Sequence, residues 1–247
     1  MSSYKAYKDW GNQKLVIDSI EPTHYVRNFL VFNTIRKLSI NYNIKDICEI
    51  GCGVGILSSK LGRKGFEVDA FDLDKDAINL AKKYNKNENV HFFSENVLSL
   101  DAKKKYDMVS AVEVIEHIKN DESAIKNAAS MLNKSGFFLL TVPVNEKYRT
   151  EFDNRSGHIR RHSENDLIHK LKKQNFKILK IRYFSFPLLW LWYFNVYLPY
   201  SSRKSKSNKK KLPFYVHLLK VFNKIFLADL FFNSKKATNI MVLAQKI

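Results

Sequence analysis

Between residues 113 and 117 the chain reads Glu-Val-Ile-Glu-His, directly after an apolar run, Tyr106-Asp-Met-Val-Ser-Ala-Val112. That run suits a buried parallel strand. If the chain turns helical at the strand's end, Glu113 and His117 stand at i and i+4 with Glu116 at i+3, on one face. Two carboxylates and an imidazole suit a hard or borderline dication such as Mg²⁺ or Mn²⁺. His158, in Ser156-Gly-His-Ile-Arg-Arg161, can close the set from the next strand's loop. A metal there would bind a vicinal diol and lower the pKa of the attacking hydroxyl. A metal-free reading makes His117 or His158 a general base, with Glu113 beside a cofactor. In a third reading Glu116 and His117 only cap and orient the loop.

The cofactor question is set upstream, by Asp46-Ile-Cys-Glu-Ile-Gly-Cys-Gly-Val-Gly55. An apolar strand runs into a turn whose glycines, Gly51, Gly53 and Gly55, let the backbone bend sharply and lie against a ligand. A dinucleotide fingerprint would need its third glycine where Ile56 stands, and no Lys-Ser or Lys-Thr follows for a phosphate-binding loop. Phe66-Glu-Val-Asp-Ala-Phe71 reads as a second strand ending in Asp72, 21 residues after Gly51. That is the spacing expected of an acid that accepts ribose hydroxyls. Asp74 competes, but its place before Lys75-Asp-Ala-Ile78 reads as a helix cap.

Further strands are expected at Val90–Phe93, Phe137–Val142, Phe176–Phe184 and Ala237–Ala244, with Leu132–Gly136 as the entry turn to Phe137–Val142. Helices are expected over residues 14–40, from Ile56 to about Arg63, from Asp121 to Leu132 behind a cap at Asn120 or Asp121, and from a capping box at Ser163-x-x-Asp166 to about Lys173. Strands alternating with helices at this pitch predict an α/β fold with a doubly wound, Rossmann-like sheet. At 247 residues with 45 % hydrophobic composition, one domain with elaborations is expected. It divides into cap helices over 1–44, a core of 45–184 and 237–247, and an insertion over 185–236.

Taken together, Glu49-Ile-Gly-Cys-Gly-Val-Gly55, Asp72, Tyr106-Asp107 through Glu113-Val-Ile-Glu-His117, Gly136 and Gly157-His-Ile-Arg-Arg161 resemble class I S-adenosylmethionine-dependent methyltransferases. Within that class the sequence is similar to O-methyltransferases of ubiquinone biosynthesis. The resemblance implies a seven-stranded sheet with an antiparallel last strand. It also implies S-adenosylmethionine as cofactor, held by Glu49, Gly51, Gly53, Gly55, Asp72, Leu73, Asn96, Val97 and Val112, with Arg27 reaching in from the N-terminal helix. Asn96 stands where the class commonly has an acid for the adenine amino group. The Glu-x-x-Glu-His and downstream His pattern also occurs in small-RNA 3′-terminal ribose methyltransferases, where it implies a metal site on Glu113, Glu116, His117 and His158. The catalytic candidates are His117, His158 and Glu113.

Charge is unevenly placed. Residues 1–168 carry 25 Lys/Arg against 23 Asp/Glu, whereas residues 169–247 carry 17 against 1. Tyr183–Ser202 has no formal charge and is dense in Trp and Tyr, which favour a membrane interface over a span. Arg203–Lys211 is polybasic, and Pro213–Phe232 reads as a basic amphipathic helix. This combination points to an anionic membrane surface met through residues 185–232; the alternative is a soluble lid packed on the core or on a partner. Four arginines, Arg149, Arg155, Arg160 and Arg161, suit either an anionic acceptor or solvated surface. The N-terminus lacks an apolar leader and the only cysteines, Cys48 and Cys52, sit inside the glycine motif. The expectation is therefore a cytoplasmic protein with reduced thiols, peripheral on the cytoplasmic membrane face. The expected activity is methyl transfer to a hydroxyl of a lipid-linked or amphiphilic small acceptor. An RNA methyltransferase is the alternative, though its stacking aromatics would have to be interleaved with the basic residues. A silent cofactor-binding scaffold is a third possibility.

Overall fold

The computed structural model describes residues 22–96, 98, 104–192 and 223–247. Seven strands form one sheet in the order β3-β2-β1-β4-β5-β7-β6. They are β1 (Asp46–Ile50), β2 (Glu67–Asp72), β3 (Val90–Ser94), β4 (Tyr106–Val112), β5 (Leu132–Pro143), β6 (Phe176–Phe184) and β7 (Asn239–Lys246). β1 to β5 pair in parallel, and β7 slots antiparallel between β5 and β6. The expected doubly wound sheet with an antiparallel last strand is what the chain forms. One strand differs from expectation. Leu132–Gly136, read as a turn, extends β5, with Leu132 opposite Tyr106 and a register irregularity before Met108. Ser135 takes a left-handed φ of 61°, so the strand absorbs the turn as an irregularity rather than breaking.

Helices cover both faces. On one face α1 (Pro22–Asn41), α2 (Ile56–Gly62) and α3 (Lys75–Tyr84) bury Val31, Ile35, Leu57, Leu61, Ile78 and Ala81 against Ile47, Val68, Met108 and Leu139. On the other, α4 (Asp121–Met131) and α6 (Glu164–Lys173) bury Ile125, Ala128, Leu167 and Leu171 against Val109, Phe138, Leu140 and Val242. A short α5 (Glu151–Ser156), absent from the sequence reading, lies between β5 and α6. Caps fix the starts. Asp74 accepts the Asp76 N–H at 2.8 Å and Asn120 the Ser123 N–H at 3.1 Å, as expected. The capping box forms elsewhere than expected. Thr150 and Asp153 make it at α5, while Ser163 makes no side-chain cap bond and Asp166 pairs with Lys170 at 2.7 Å. The Asp166 carboxylate, which a capping box would turn back to the Ser163 N–H, is taken by a lysine one turn on.

The insertion leaves and rejoins the sheet at one place. Phe184, ending β6, and Pro143, ending β5, both pair with Asn239 at the start of β7. Beyond β6 a one-turn helix, α7 (Leu188–Trp192), meets a 3-10 turn over Leu227–Phe231. Asp229, buried, accepts the N–H groups of Leu188 and Leu189, each at 2.8 Å. Asn233 Oδ1 accepts the Tyr183 N–H at 2.9 Å. The two roots of the insertion are thus tied together by side chains satisfying orphan backbone donors. The polybasic run and most of the expected amphipathic helix, His217 and Lys220 included, lie outside the described residues; residues 223–226 are helical. Asp229→Ala is expected to lower unfolding free energy by about 1–3 kcal/mol in urea denaturation, with Asp229→Asn, which keeps one acceptor oxygen, losing less.

Candidate functional site

The site lies at the carboxyl ends of β1, β2, β4 and β5, built from two loops that touch. In the first, Gly51, Gly53 and Gly55 all take left-handed φ values, of 69°, 54° and 76°. Gly51 and Cys52 donate their N–H groups to Phe71 O at 2.7 and 3.0 Å, pinning the turn to β2. A Cβ on Gly55 would lie 2.6 Å from the Phe92 ring, and one on Gly51 would lie 2.3 Å from Val114 Cγ2. The second contact brings the β4 loop onto the glycine turn, and only glycine leaves room for it. Cys48 and Cys52 are free buried thiols, pushed up by burial.

Asp72 ends β2 buried, accepting the Gly53 N–H at 2.8 Å on one oxygen and the Asp74 N–H at 2.9 Å on the other. Each oxygen retains a lone pair for a ligand hydroxyl. Next to it Leu73 is 65 % exposed, and Phe93, stacked on Phe71 with centroids 5.0 Å apart, is also exposed. These are large apolar groups left uncovered at the strand ends; Phe93 escaped the sequence reading. Asn96 turns its Oδ1 to the Leu98 N–H at 3.0 Å, and Val97 lies outside the described residues. Val112 ends β4 half-buried beside the α1–α3 core.

Glu49, the penultimate residue of β1, is buried and accepts the Ser58 hydroxyl from α2. Burial pushes its carboxyl up to about 7. It sits beneath the glycine turn as part of the turn's support.

The second loop corrects the expected helix. Glu113 takes a left-handed φ of 56°, and the chain forms a 3-10 turn only from Ile115 to His117. Glu113 is therefore not on one face with Glu116 and His117. Its Oε1 accepts from Thr141 Oγ1 at 2.8 Å and its Oε2 from Asn239 Nδ2 at 3.2 Å, with Arg27 of α1 at 3.9 Å. Partners on β5, β7 and α1 hold this carboxylate, and of them only Arg27 was singled out from the sequence.

Glu116, His117 and His158 do come together. Their ligand atoms lie within 4.8 Å of one another, and the two imidazoles meet edge to face with centroids 4.8 Å apart. Glu116 is fully buried and neither of its oxygens has a hydrogen-bond partner. Burial, then the charge of Glu113, pushes its carboxyl well up. Its Oε1 stands 3.9 Å from His117 Nε2 and 4.0 Å from His158 Nε2. The far side of each ring is committed: His117 Nδ1 to Gly157 O at 3.2 Å, His158 Nδ1 to Asp153 Oδ1 at 2.9 Å. Burial and the neighbouring His158 pull His117 down. Asp153 in turn accepts from Thr150 N and Arg161, and these partners hold its carboxyl far below the usual range. Arg161 also donates to Val144 O and Thr238 O.

The four arginines serve the chain internally. Arg149 binds Glu146 and His158 O, Arg155 pairs with Glu151, Arg160 with Asp121, and Arg161 with Asp153. Arg149, Arg160 and Arg161 fasten the loop around His158, whereas Arg155 is exposed and pairs along the surface of α5.

A seven-stranded sheet with this order and one antiparallel strand, carrying a glycine turn after β1 and an acid after β2, defines a class I S-adenosylmethionine-dependent methyltransferase fold. A family model for the methyltransferase domain matches residues 23–181, and the chain belongs to that family. It is 31 % identical over 114 residues to a ubiquinone biosynthesis O-methyltransferase of Rickettsia akari (strain Hartford), covering 44 % of this chain and 45 % of that one. To the enzyme so named in Coxiella burnetii (strain Dugway 5J108-111) it is 27 % identical over 149 residues, covering 57 % and 59 %. The match spans about half the length of these curated relatives. Among solved structures, the N-methyltransferase NodS of Bradyrhizobium japonicum WM9, with S-adenosyl-L-homocysteine, superposes with a TM-score of 0.61 at 13 % identity, covering 100 % and 99 % of the two chains. Magnesium protoporphyrin IX methyltransferase of Synechocystis PCC 6803 gives 0.60 at 16 %, covering 92 % and 86 %. At such identities the likeness is one of fold.

Glu49 yields a pH test. Its folded pKa of about 7 lies above the ordinary 4.5, so the folded state holds the proton more tightly than the unfolded one. Stability from this group is full below about pH 4.5 and is lost as pH rises to about 7. His162, buried and pushed down to about 4, slopes the opposite way over a similar range, so the wild-type profile alone is uninformative. The stability difference between Glu49→Gln and wild type, read by urea denaturation, is expected to grow in the variant's favour by about 3 kcal/mol from pH 4.5 to 7. A flat difference would contradict the buried carboxyl.

Proposed function

We propose that the protein transfers the methyl group of S-adenosylmethionine to a hydroxyl of a lipid-linked or amphiphilic small acceptor at an anionic membrane surface, on its cytoplasmic face. The observation that carries this reading is the contact of the glycine turn, which Asp72 braces through Gly53, with the loop bearing Glu113, Glu116 and His117. A cradle for a nucleoside and a cluster of proton-handling groups then open on one cleft.

In this reading Gly51, Gly53 and Gly55 let the cofactor lie against backbone, supported from beneath by Glu49. Asp72 takes the ribose hydroxyls, Leu73, Phe93 and Val97 flank the adenine, and Asn96 meets its amino group. Val112, Glu113 and Arg27 line the amino-acid end. Methyl transfer is an in-line displacement: the acceptor oxygen forms its bond to the methyl carbon as the carbon–sulfur bond breaks and the electron pair returns to sulfur. Catalysis is then mostly positioning, plus removal of the hydroxyl proton. With no ion bound, that proton goes to Nε2 of His117 or His158, which faces inward beside Glu116 because Nδ1 of each ring is committed; an ion on the same atoms would take those lone pairs, and the proton would then leave to solvent. The same atoms fit a divalent cation, since Glu116 is a buried carboxylate without a hydrogen-bond partner. Such an ion would supply Lewis acidity toward a hydroxyl or a diol.

The membrane part rests on the C-terminal third. Its one acid, Asp229, is buried in capping α7, so the 17 cations of residues 169–247 face no exposed carboxylate of that segment. At the insertion's roots Leu191, Ile225 and Phe232 are about half exposed and Phe231 is 89 % exposed. Exposed apolar groups within a cationic segment suit an anionic bilayer. No described helix is long and apolar enough to cross a membrane.

Calorimetry with S-adenosylmethionine is expected to show binding that Asp72→Ala weakens roughly 10–100-fold; absence of binding to the wild type overturns the proposal. Flotation with anionic vesicles is expected to carry the protein upward, less so as salt is raised. A gel shift with RNA in the absence of flotation would favour the RNA methyltransferase instead.

A further inference from the structure

Glu113 is held in place against its local preference. Its left-handed φ of 56° is a backbone state that costs a side-chain-bearing residue free energy and persists only where the surroundings impose it. Three bonds impose it here. The Glu113 N–H donates to Thr141 O at 3.0 Å, Thr141 Oγ1 donates to Oε1 at 2.8 Å, and Asn239 Nδ2 donates to Oε2 at 3.2 Å. Asn239 is itself fixed from both sides, its backbone pairing with Pro143 of β5 and Phe184 of β6. A carboxylate only accepts, so the amide turns its Nδ2 to Glu113, and its Oδ1 takes the Thr238 hydroxyl at 2.9 Å.

The carboxylate so held faces a cation that it does not bind. Arg27 Nη1 stands 3.9 Å from Oε2, beyond hydrogen-bond reach, and Arg27 Nε is buried without a partner. Each oxygen of Glu113 has one donor and keeps a lone pair. An acid with acceptor capacity beside a guanidinium with unspent donors matches the two ends of an α-amino acid zwitterion, ammonium on Glu113 and carboxylate on Arg27. The next residue, Val114, fills the space beside Gly51, so this pair borders the glycine turn. Asn239 competes with Arg27 for Oε2. Without its amide the 3.9 Å gap can close into a direct ion pair, which spends the two charges on each other.

We infer that Asn239 and Thr141 are positioning residues for the amino-acid end of the cofactor, holding Glu113 off Arg27 so that both stay open to the zwitterion. This deepens the cofactor reading given above and rests on it. The two residues come from β7 and β5, and Asn239 lies 126 residues from the acid it serves. The nucleoside end is braced separately, by Asp72 on the Gly53 N–H at 2.8 Å. No hydrogen bond links Asn239 or Thr141 to Asp72 or to the glycine turn among the described residues. Their removal therefore acts on ligands that carry the amino acid and spares those that do not.

The test titrates the full-length chain by calorimetry with S-adenosylmethionine, S-adenosylhomocysteine and 5′-methylthioadenosine, the last of which keeps the nucleoside and lacks the amino acid. Asn239→Ala is expected to weaken the first two about 10-fold and to leave methylthioadenosine within about twofold. Thr141→Val, which removes the hydroxyl at nearly constant volume, is expected to do the same. Thr141→Ser, which keeps the hydroxyl, is expected to retain the wild-type ratio of affinities. Should Asn239→Ala fail to fold, as judged by circular dichroism, the Thr141 pair carries the test. Equal weakening of all three ligands, as a merely structural role would give, overturns the inference. So does S-adenosylmethionine binding that is indifferent to both Asn239→Ala and Thr141→Val, or a wild type that binds methylthioadenosine as tightly as S-adenosylmethionine. A wild type that binds none of the three removes the cofactor reading itself.

Discussion

Val114 lies where a side chain on Gly51 would have to be. That single contact makes one cleft out of two loops that leave different strands. Because Gly51 has no Cβ, the β4 loop can settle onto the glycine turn, and the groups that follow Val114 arrive beside the nucleoside cradle. The left-handed φ at Gly51 and the N–H bonds from Gly51 and Cys52 to Phe71 O hold the turn rigid enough to receive it. Larger residues at position 51 would strain the turn and lift the loop together.

Around this contact the fold treats its buried charges in two ways. Most are fully engaged. Glu113 is held by Thr141, Asn239 and Arg27, Asp153 by Thr150, His158 and Arg161, and Asp229 by the N–H groups of Leu188 and Leu189. Each of these carboxylates joins segments distant in sequence, which is how a loop-rich edge of a sheet becomes a defined surface. Among the described carboxylates Glu116 is the one whose two oxygens are both buried without a hydrogen-bond partner. A charge left in that state costs free energy. Its two imidazole neighbours, held from behind, give the exception a direction.

The insertion belongs to the same edge. β7 begins where β5 and β6 end, so the return of the chain from the insertion passes the site. Arg161 reaches Thr238 O and Asp153 at once, and Asn145 donates to the carbonyls of Lys235 and Ala237.

The sheet was largely legible in the sequence. Buried parallel strands show as apolar runs bounded by turn residues, and β4 was placed to the residue because Tyr106–Val112 is such a run; β6, an antiparallel edge strand, was placed at Phe176–Phe184 although Lys177, Lys180 and Arg182 interrupt its apolar residues. The glycine turn and Asp72 were legible for the same local reason: their chemistry is written in types and spacing over some twenty residues. The site's second half was legible only as a set of names. Periodicity alone put Glu113, Glu116 and His117 on one helical face, but Glu113 is drawn off by Thr141 and Asn239, which lie 28 and 126 residues away. Asp153, Gly157 and Arg161 carried no signal for the roles they take, because a side chain that orients an imidazole is defined by where the fold puts it. The sequence by itself determined the strands, the glycine cradle and the excess of positive charge near the C-terminus. The tertiary structure decided which carboxylate stands free beside two histidines and which is bound away, because that choice is a competition between partners only folding brings within hydrogen-bond reach.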